Sequence, residues 1–166
     1  MKTLIVGQRS NLTRYLDKVI QSASIISSQD ILNNNFKRKI PKKFNLIINL
    51  FYPSSKLDKN IDYNLFFDLN FFYLNKFFSQ INKNNINKII YTSSSSINSN
   101  FLNHKKQKSL YSISKLLAEN YIQNINISEK KIIIARVHNM FDESENFSVI
   151  SKIINANKSK KILKLN

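Results

Sequence analysis

Short, near-continuous apolar runs separated by stretches of helical periodicity constrain the fold of this chain most. Thr3-Leu-Ile-Val6, Asn45-Leu-Ile-Ile-Asn-Leu50, Ile86 to Tyr91 and Lys131 to Val137 are such runs, and Ser24 to Ser27 holds a shorter one. Runs of this length, apolar on successive residues, fit strands covered on both faces. Between them Leu12, Tyr15, Leu16, Val19 and Ile20 recur at helical spacing. Further helices are expected over Asp62 to Ile81, Leu110 to Ile125 and Phe147 to Ile154, whereas residues 28–43 read as loop with one turn. Strands alternating with helices predict an α/β class: a Rossmann-like, doubly wound parallel sheet of about five strands, helices on both faces. Right-handed crossovers follow by default.

At 166 residues the chain fits one domain. Hydrophobic content of 42% places it among globular sequences, and the absence of cysteine rules out a disulfide framework or thiolate metal site. The apolar start, Leu4-Ile5-Val6, is too short for a signal-peptide core, and no run approaches membrane-spanning length. A cytoplasmic location with no membrane partner is therefore expected. His104 and His138 are isolated, and Asp142, Glu143 and Glu145 lack ligand-like spacing, so no metal site is expected.

The net charge of +16 raises nucleic acid as a partner. It comes from 22 Lys and only 4 Arg, spread along the chain. Bidentate recognition of bases and phosphates favours arginine, so the composition argues for solvated surface lysine instead. The same charge would attract an anionic small molecule such as a nucleotide. Glycine is scarce: Gly7 stands alone. Asparagine, as in Asn33-Asn34-Asn35 and Asn84-Asn85, is expected to fill left-handed positions.

The 62–81 segment is apolar nearly all round, with Leu65, Phe66, Phe67, Leu69, Phe71, Phe72, Leu74, Phe77, Phe78 and Ile81. Such a helix wants burial on two sides, one against the sheet and the other against a second subunit.

Chemistry concentrates in one stretch. Ser93 to Ser96 follow the fourth apolar run, and Tyr111-Ser-Ile-Ser-Lys115 opens a helix shortly after. Tyr111 and Lys115, four apart, share one helix face. An ammonium beside a phenol is expected to lower its pKa and fit it for general acid or base work. A serine hydroxyl orients the substrate oxygen, and a hydride would have to come from a cofactor. With 22 Lys and seven Tyr, about one chance Tyr-x-x-x-Lys is expected, and Tyr52-Pro-Ser-Ser-Lys56 matches too. Pro53 disfavours that second match as a helical site. At the first strand, Gly7-Gln-Arg-Ser10-Asn-Leu-Thr13 stands where a glycine-rich turn meets a pyrophosphate, although capping by Ser10 or Asn11 accounts for it equally well.

Together these residues resemble the extended short-chain dehydrogenase/reductases, within them the NAD-dependent epimerase/dehydratase group that acts on nucleotide sugars. The carriers are Met1 to Gly7, Asn45 to Leu50, Asn70 with Asn85 to Ser96, Tyr111 to Glu119, and Ile134-Ala-Arg136-Val-His-Asn139-Met-Phe141. The resemblance implies bound NAD or NADP, with Tyr111 as acid/base, Lys115 on the ribose hydroxyls, and Ser94 on the reacting oxygen. It places Gly7, Ser10, Asn11 and Leu12 at the pyrophosphate, Ser28 and Asp30 at the adenosine ribose, and Leu50 and Phe51 beside the cofactor. Ser94, Ser95 and Asn139 would meet the substrate. It also implies a homodimer through helices 62–81 and 111–126. Residues 1–145 would form the dinucleotide-binding domain and 146–166 the start of a shortened substrate-binding part. Ser10 and Thr13 stand where that family carries glycine, and Asn98-Ser99 where it carries Tyr-Gly. The competing reading is a non-catalytic dinucleotide-fold scaffold.

Overall fold

The computed structural model describes residues 1–50, 63–98, 106–125, 127, 131–138 and 149–158. Five strands, β1 (Lys2–Val6), β2 (Ser24–Ile26), β3 (Phe44–Ile48), β4 (Ile86–Ser94) and β5 (Lys131–Val137), form one sheet in the order β2-β1-β3-β4-β5. Every pairing is parallel. The expected fold class is therefore the observed one. The order reverses between β1 and β3, the position where doubly wound sheets bind ligands beyond their carboxyl ends.

Parallel register stacks like residues into rows. Leu4, Leu46 and Ile89 form one row, and Val6, Ile48 and Tyr91 the next. All six are buried and meet Leu74, Phe77, Phe78, Ala118 and Ile122 from the helices. The intervening row on the opposite face is Ile25, Ile5, Ile47, Ile90 and Ile133. Its cover thins toward β5: Ile5 is fully buried, whereas Ile133 is 43% exposed.

The helices are α1 (Asn11–Val19), α2 (Ser28–Leu32), α3 (Tyr63–Phe67), α4 (Tyr73–Gln80), α5 (Lys106–Gln123) and α6 (Val149–Lys158). A π-turn over Asp68–Phe72 joins α3 to α4, so the expected 62–81 helix is one rod with a wider central turn. Asn70 is buried there, its Nδ2 donating to the Phe66 carbonyl at 2.8 Å. α2 packs on α4, and α5 packs on the π-turn, β4 and β5. Right-handed crossovers place α1 on the other face.

Two local expectations change. The 28–43 stretch contains α2 and a short 3-10 turn at Lys37–Lys39 in place of loop. α2 forms because Ser27 and Asp30 make a reciprocal capping box: Asp30 N donates to Ser27 Oγ at 3.0 Å and Ser27 N to Asp30 Oδ2 at 2.8 Å. Asn34 does take a left-handed conformation (φ 57°), but Asn84 and Asn85 sit in a right-handed 3-10 turn capped by Asn82.

Candidate active site

Two clusters form at the carboxyl ends of the strands. The first joins β1, α1 and β3. Gly7 follows β1 with φ 114°, and a Cβ there would overlap the Asn49 carbonyl, so only glycine fits. Asn49 N donates to the Val6 carbonyl at 2.7 Å, fastening the two strand ends together. Ser10 caps α1, accepting from Thr13 N at 3.0 Å. Helix geometry leaves the Asn11 and Leu12 amides without intrahelical partners, facing outward from a positive helix end. A glycine-only turn and an outward helix end at the switch point suit a dinucleotide pyrophosphate through backbone amides. Thr13 and Asn49 are buried, and Leu50, two residues beyond β3, is 7% exposed.

The second cluster joins β4 and α5. Ser94 lies near enough to Tyr111, across the gap between helix and strand end, to favour the ionised phenol. Ser94 Oγ lies 2.9 Å from Ser96 Oγ, and Ser112 Oγ donates to the Ser96 carbonyl at 3.1 Å. The Ser112 bond seats the second turn of α5 against the short 3-10 turn at Ser95–Asn98. Phe66 and Leu69 pack against Leu110 and Tyr111 from the π-turn side.

Lys115 is 1% exposed. Its Nζ donates to the Thr92 carbonyl at 2.9 Å, approaches Tyr91 Oη at 3.4 Å, and lies 5.0 Å from the Tyr91 ring centroid. Burial pushes its pKa down to about 7, against the opposing pull of Glu119 one turn on. Glu119 is itself buried and takes a bidentate grip from Arg136 of β5, with Nη2 to Oε2 at 2.7 Å and Nε to Oε1 at 3.0 Å. Burial alone would raise Glu119; hydrogen bonds from Arg136, the nearby Ser93 hydroxyl and the charges of Arg136 and Lys115 outweigh it and hold the carboxyl below its usual range. The Ser93 hydroxyl is close enough to favour that charge without a well-formed bond.

One expectation is corrected. Tyr111 was expected to have a lowered pKa beside Lys115. Burial instead raises it, and only the nearby Ser94 hydroxyl opposes the rise. The phenol is held protonated because a tyrosinate in this apolar setting would lose its water.

Tyr111 thus stands near Ser94, whereas the Lys115 ammonium on the same helix turns to Thr92 and Tyr91; Gly7, Ser10, Asn11 and Leu12 stand at the switch point. Ser95 begins the 3-10 turn next to Ser94. Ser28 and Asp30 sit in α2, where the Asp30 carboxylate bonds Ser27 and, at 3.0 Å, Lys39. Phe51 and Asn139, and the competing Tyr52–Lys56 motif, lie outside the described residues. Tyr91, Asn49 and the Glu119–Arg136 pair escaped the site prediction. Glu119 four after Lys115 was the one legible hint among them.

The NAD dependent epimerase/dehydratase family model matches residues 5–166. Among solved structures, a UDP-N-acetylglucosamine 4-epimerase from Methanobrevibacter ruminantium is 19% identical with a TM-score of 0.71, covering 97% of this chain and 64% of that one. The Bordetella bronchiseptica enzyme WbmG, in complex with NAD, is 13% identical with a TM-score of 0.72, covering 98% and 61%. A GDP-mannoheptose C4 reductase from Campylobacter jejuni, with NADP bound, is 14% identical with a TM-score of 0.66, covering 87% and 53%. The chain spans less than two thirds of each of these, and the likeness is one of fold. No curated protein sequence matches it.

Proposed function

From its membership of the NAD-dependent epimerase/dehydratase family, we propose that this chain is an NAD- or NADP-dependent oxidoreductase whose substrate is a nucleotide sugar. The observation that carries this reading is Tyr111 beside Ser94 at the carboxyl end of β4, with buried Lys115 on the same helix fastened to that strand. The cofactor supplies the hydride-transfer chemistry, which no side chain can.

The chain's own residues do the rest. Gly7 and the Asn11 and Leu12 amides hold the pyrophosphate at the switch point. Ser94 orients the reacting oxygen, with Ser95 beside it. Tyr111 enters as a protonated phenol and gives or retrieves the proton at that oxygen through Oη. Lys115 meets ribose hydroxyls and places positive charge near Tyr111 as the site loses water. Ser28 and Asp30 remain candidates for the adenosine ribose, where Asp30 would have to release Ser27 or Lys39. Phe51 beside the cofactor and Asn139 at the substrate complete the reading.

The exposed apolar residues of the helical face support a homodimer as part of it. Leu65, Phe72, Ile113 and Leu117 are 40%, 55%, 38% and 46% exposed along the 62–81 segment and α5. No helix among the described residues is long and apolar enough to cross a membrane, and we place the protein in the cytoplasm.

The test is turnover of a panel of UDP- and GDP-sugars with NAD or NADP, in wild type and Tyr111→Phe. Turnover in wild type and its loss in Tyr111→Phe, with cofactor binding intact, supports the reading. Equal turnover in both removes Tyr111 from the chemistry. Cofactor binding with no turnover of any sugar favours the scaffold alternative.

A further inference from the structure

The phosphate-facing turn of this chain is closed by its own side chains. Ser10 Oγ donates to Thr13 Oγ1 at 3.1 Å and accepts from Thr13 N at 3.0 Å and from Asn49 Nδ2. Thr13 Oγ1 donates to the Gly7 carbonyl at 2.5 Å and accepts from Ser10 and, at 3.0 Å, from Asn49 Nδ2. A hydroxyl has one proton and two lone pairs, and a carboxamide nitrogen has two protons. Both hydroxyls and the Asn49 NH2 are therefore fully used, and every one of these bonds joins Gly7, Ser10, Thr13 and Asn49 to each other. Thr13 is 1% exposed and Asn49 3% exposed, so the inner side of the ring is buried, with Ser10 half-buried at its outer edge.

The ring has a structural use. Glycines in such a turn let the helix approach the strand closely and let the backbone approach a pyrophosphate. Here Thr13 ties α1 to β1 and β3 by hydrogen bonds where a glycine would do so by having no side chain. Ser10 is different. Its Cβ and hydroxyl stand at the helix end where a phosphate oxygen would seek the amides. A hydroxyl with its only proton already donated inward offers an anion no hydrogen bond. Ser10 therefore adds bulk at the helix end without adding a donor.

We infer that the Ser10–Thr13–Asn49 ring is a latch that competes with dinucleotide pyrophosphate for the start of α1, and that Ser10 sets this chain's cofactor affinity below what the same turn would give with glycine. The inference rests on the dinucleotide reading above. It makes Ser10 a residue that limits binding.

The test is direct titration of NADH and NADPH into wild type, Ser10→Gly and Ser10→Ala, followed by nicotinamide fluorescence, with thermal melting of each protein without ligand. Glycine is an acceptable helix cap, so Ser10→Gly should fold with a slightly lower Tm. It should bind the preferred dinucleotide at least about threefold more tightly than wild type. Ser10→Ala, which opens the ring but keeps Cβ, should fall between the two and stands in if Ser10→Gly does not fold. Binding seen only in the variants also supports the latch. Wild-type binding with equal or weaker affinity in both variants overturns the latch and leaves the dinucleotide reading standing. No binding by any of the three overturns both.

Discussion

Lys115 Nζ donates to the main-chain carbonyl of Thr92 at 2.9 Å, so a buried ammonium on α5 is fastened to the backbone of β4 two residues before Ser94. This bond links the helix that carries Tyr111 to the strand that carries Ser94. It also makes Lys115 a costly group to hold in the fold, with measurable consequences.

The first concerns pH. Lys115 titrates near 7 in the fold and near its ordinary 10.5 when unfolded. Below about pH 7 both states are charged, and the fold carries the full cost of the desolvated ammonium. Between about pH 7 and pH 10 the folded chain sheds this proton and the unfolded chain keeps it, so stability rises with pH. Tyr91 and Tyr111, both raised by burial, act in the opposite sense above about pH 10, where only the unfolded tyrosines ionise. Denaturant midpoints should therefore climb from about pH 7 to pH 9.5, and Lys115→Met should flatten the climb.

The Glu119–Arg136 pair predicts an asymmetry. Glu119 is almost wholly buried, whereas the Arg136 side chain is 41% exposed. Arg136→Met strands a buried carboxylate and should be the more destabilising of the two changes at neutral pH. Glu119→Gln leaves a cation that can reach water and should cost about 1 kcal/mol. The lowered Glu119 pKa means the pair's contribution is present above about pH 4.5 and fades as pH falls below it. The gap between the two variants, measured by chemical unfolding, should close at acid pH.

Gly7→Ala should be the most damaging single change in the phosphate turn. It forces a side chain into a φ of 114° and into the Asn49 carbonyl. A loss of several kcal/mol, or failure to fold, is expected. A circular-dichroism melt matching wild type would contradict the turn described here.

Dimerisation through the helical face predicts that Phe72→Lys combined with Leu117→Lys yields a monomer by sedimentation equilibrium, with the far-UV spectrum unchanged. Both residues are about half exposed in the single chain, so the substitutions do not touch the core. A wild type that is already monomeric removes the dimer from the account.

Much of this was legible because the relevant signals are local. Apolar runs gave all five strands, and Lys131–Val137 matches to the residue. Four-residue spacing put Tyr111 and Lys115 on one face. The Ser27-x-x-Asp30 capping pattern is equally local, and it is what makes α2 a helix where composition alone reads as loop. What was not legible depends on distance in the chain. The Asn49 bonds to Ser10 and Thr13 span 39 and 36 residues, and the Lys115 contact with Tyr91 spans 24. No periodicity encodes them. The Tyr111 shift was misjudged because spacing reports a neighbouring charge and is silent on the depth of burial, which outweighs it here.

One titration weighs the whole proposal: NADH and NADPH added to wild type and to Lys115→Met, with affinity read from nicotinamide fluorescence. If buried Lys115 is the anchor for ribose beside Tyr111, wild type binds saturably and Lys115→Met binds at least about tenfold more weakly while remaining folded. A wild type that takes up neither dinucleotide, or a methionine variant that matches it, would contradict the assignment.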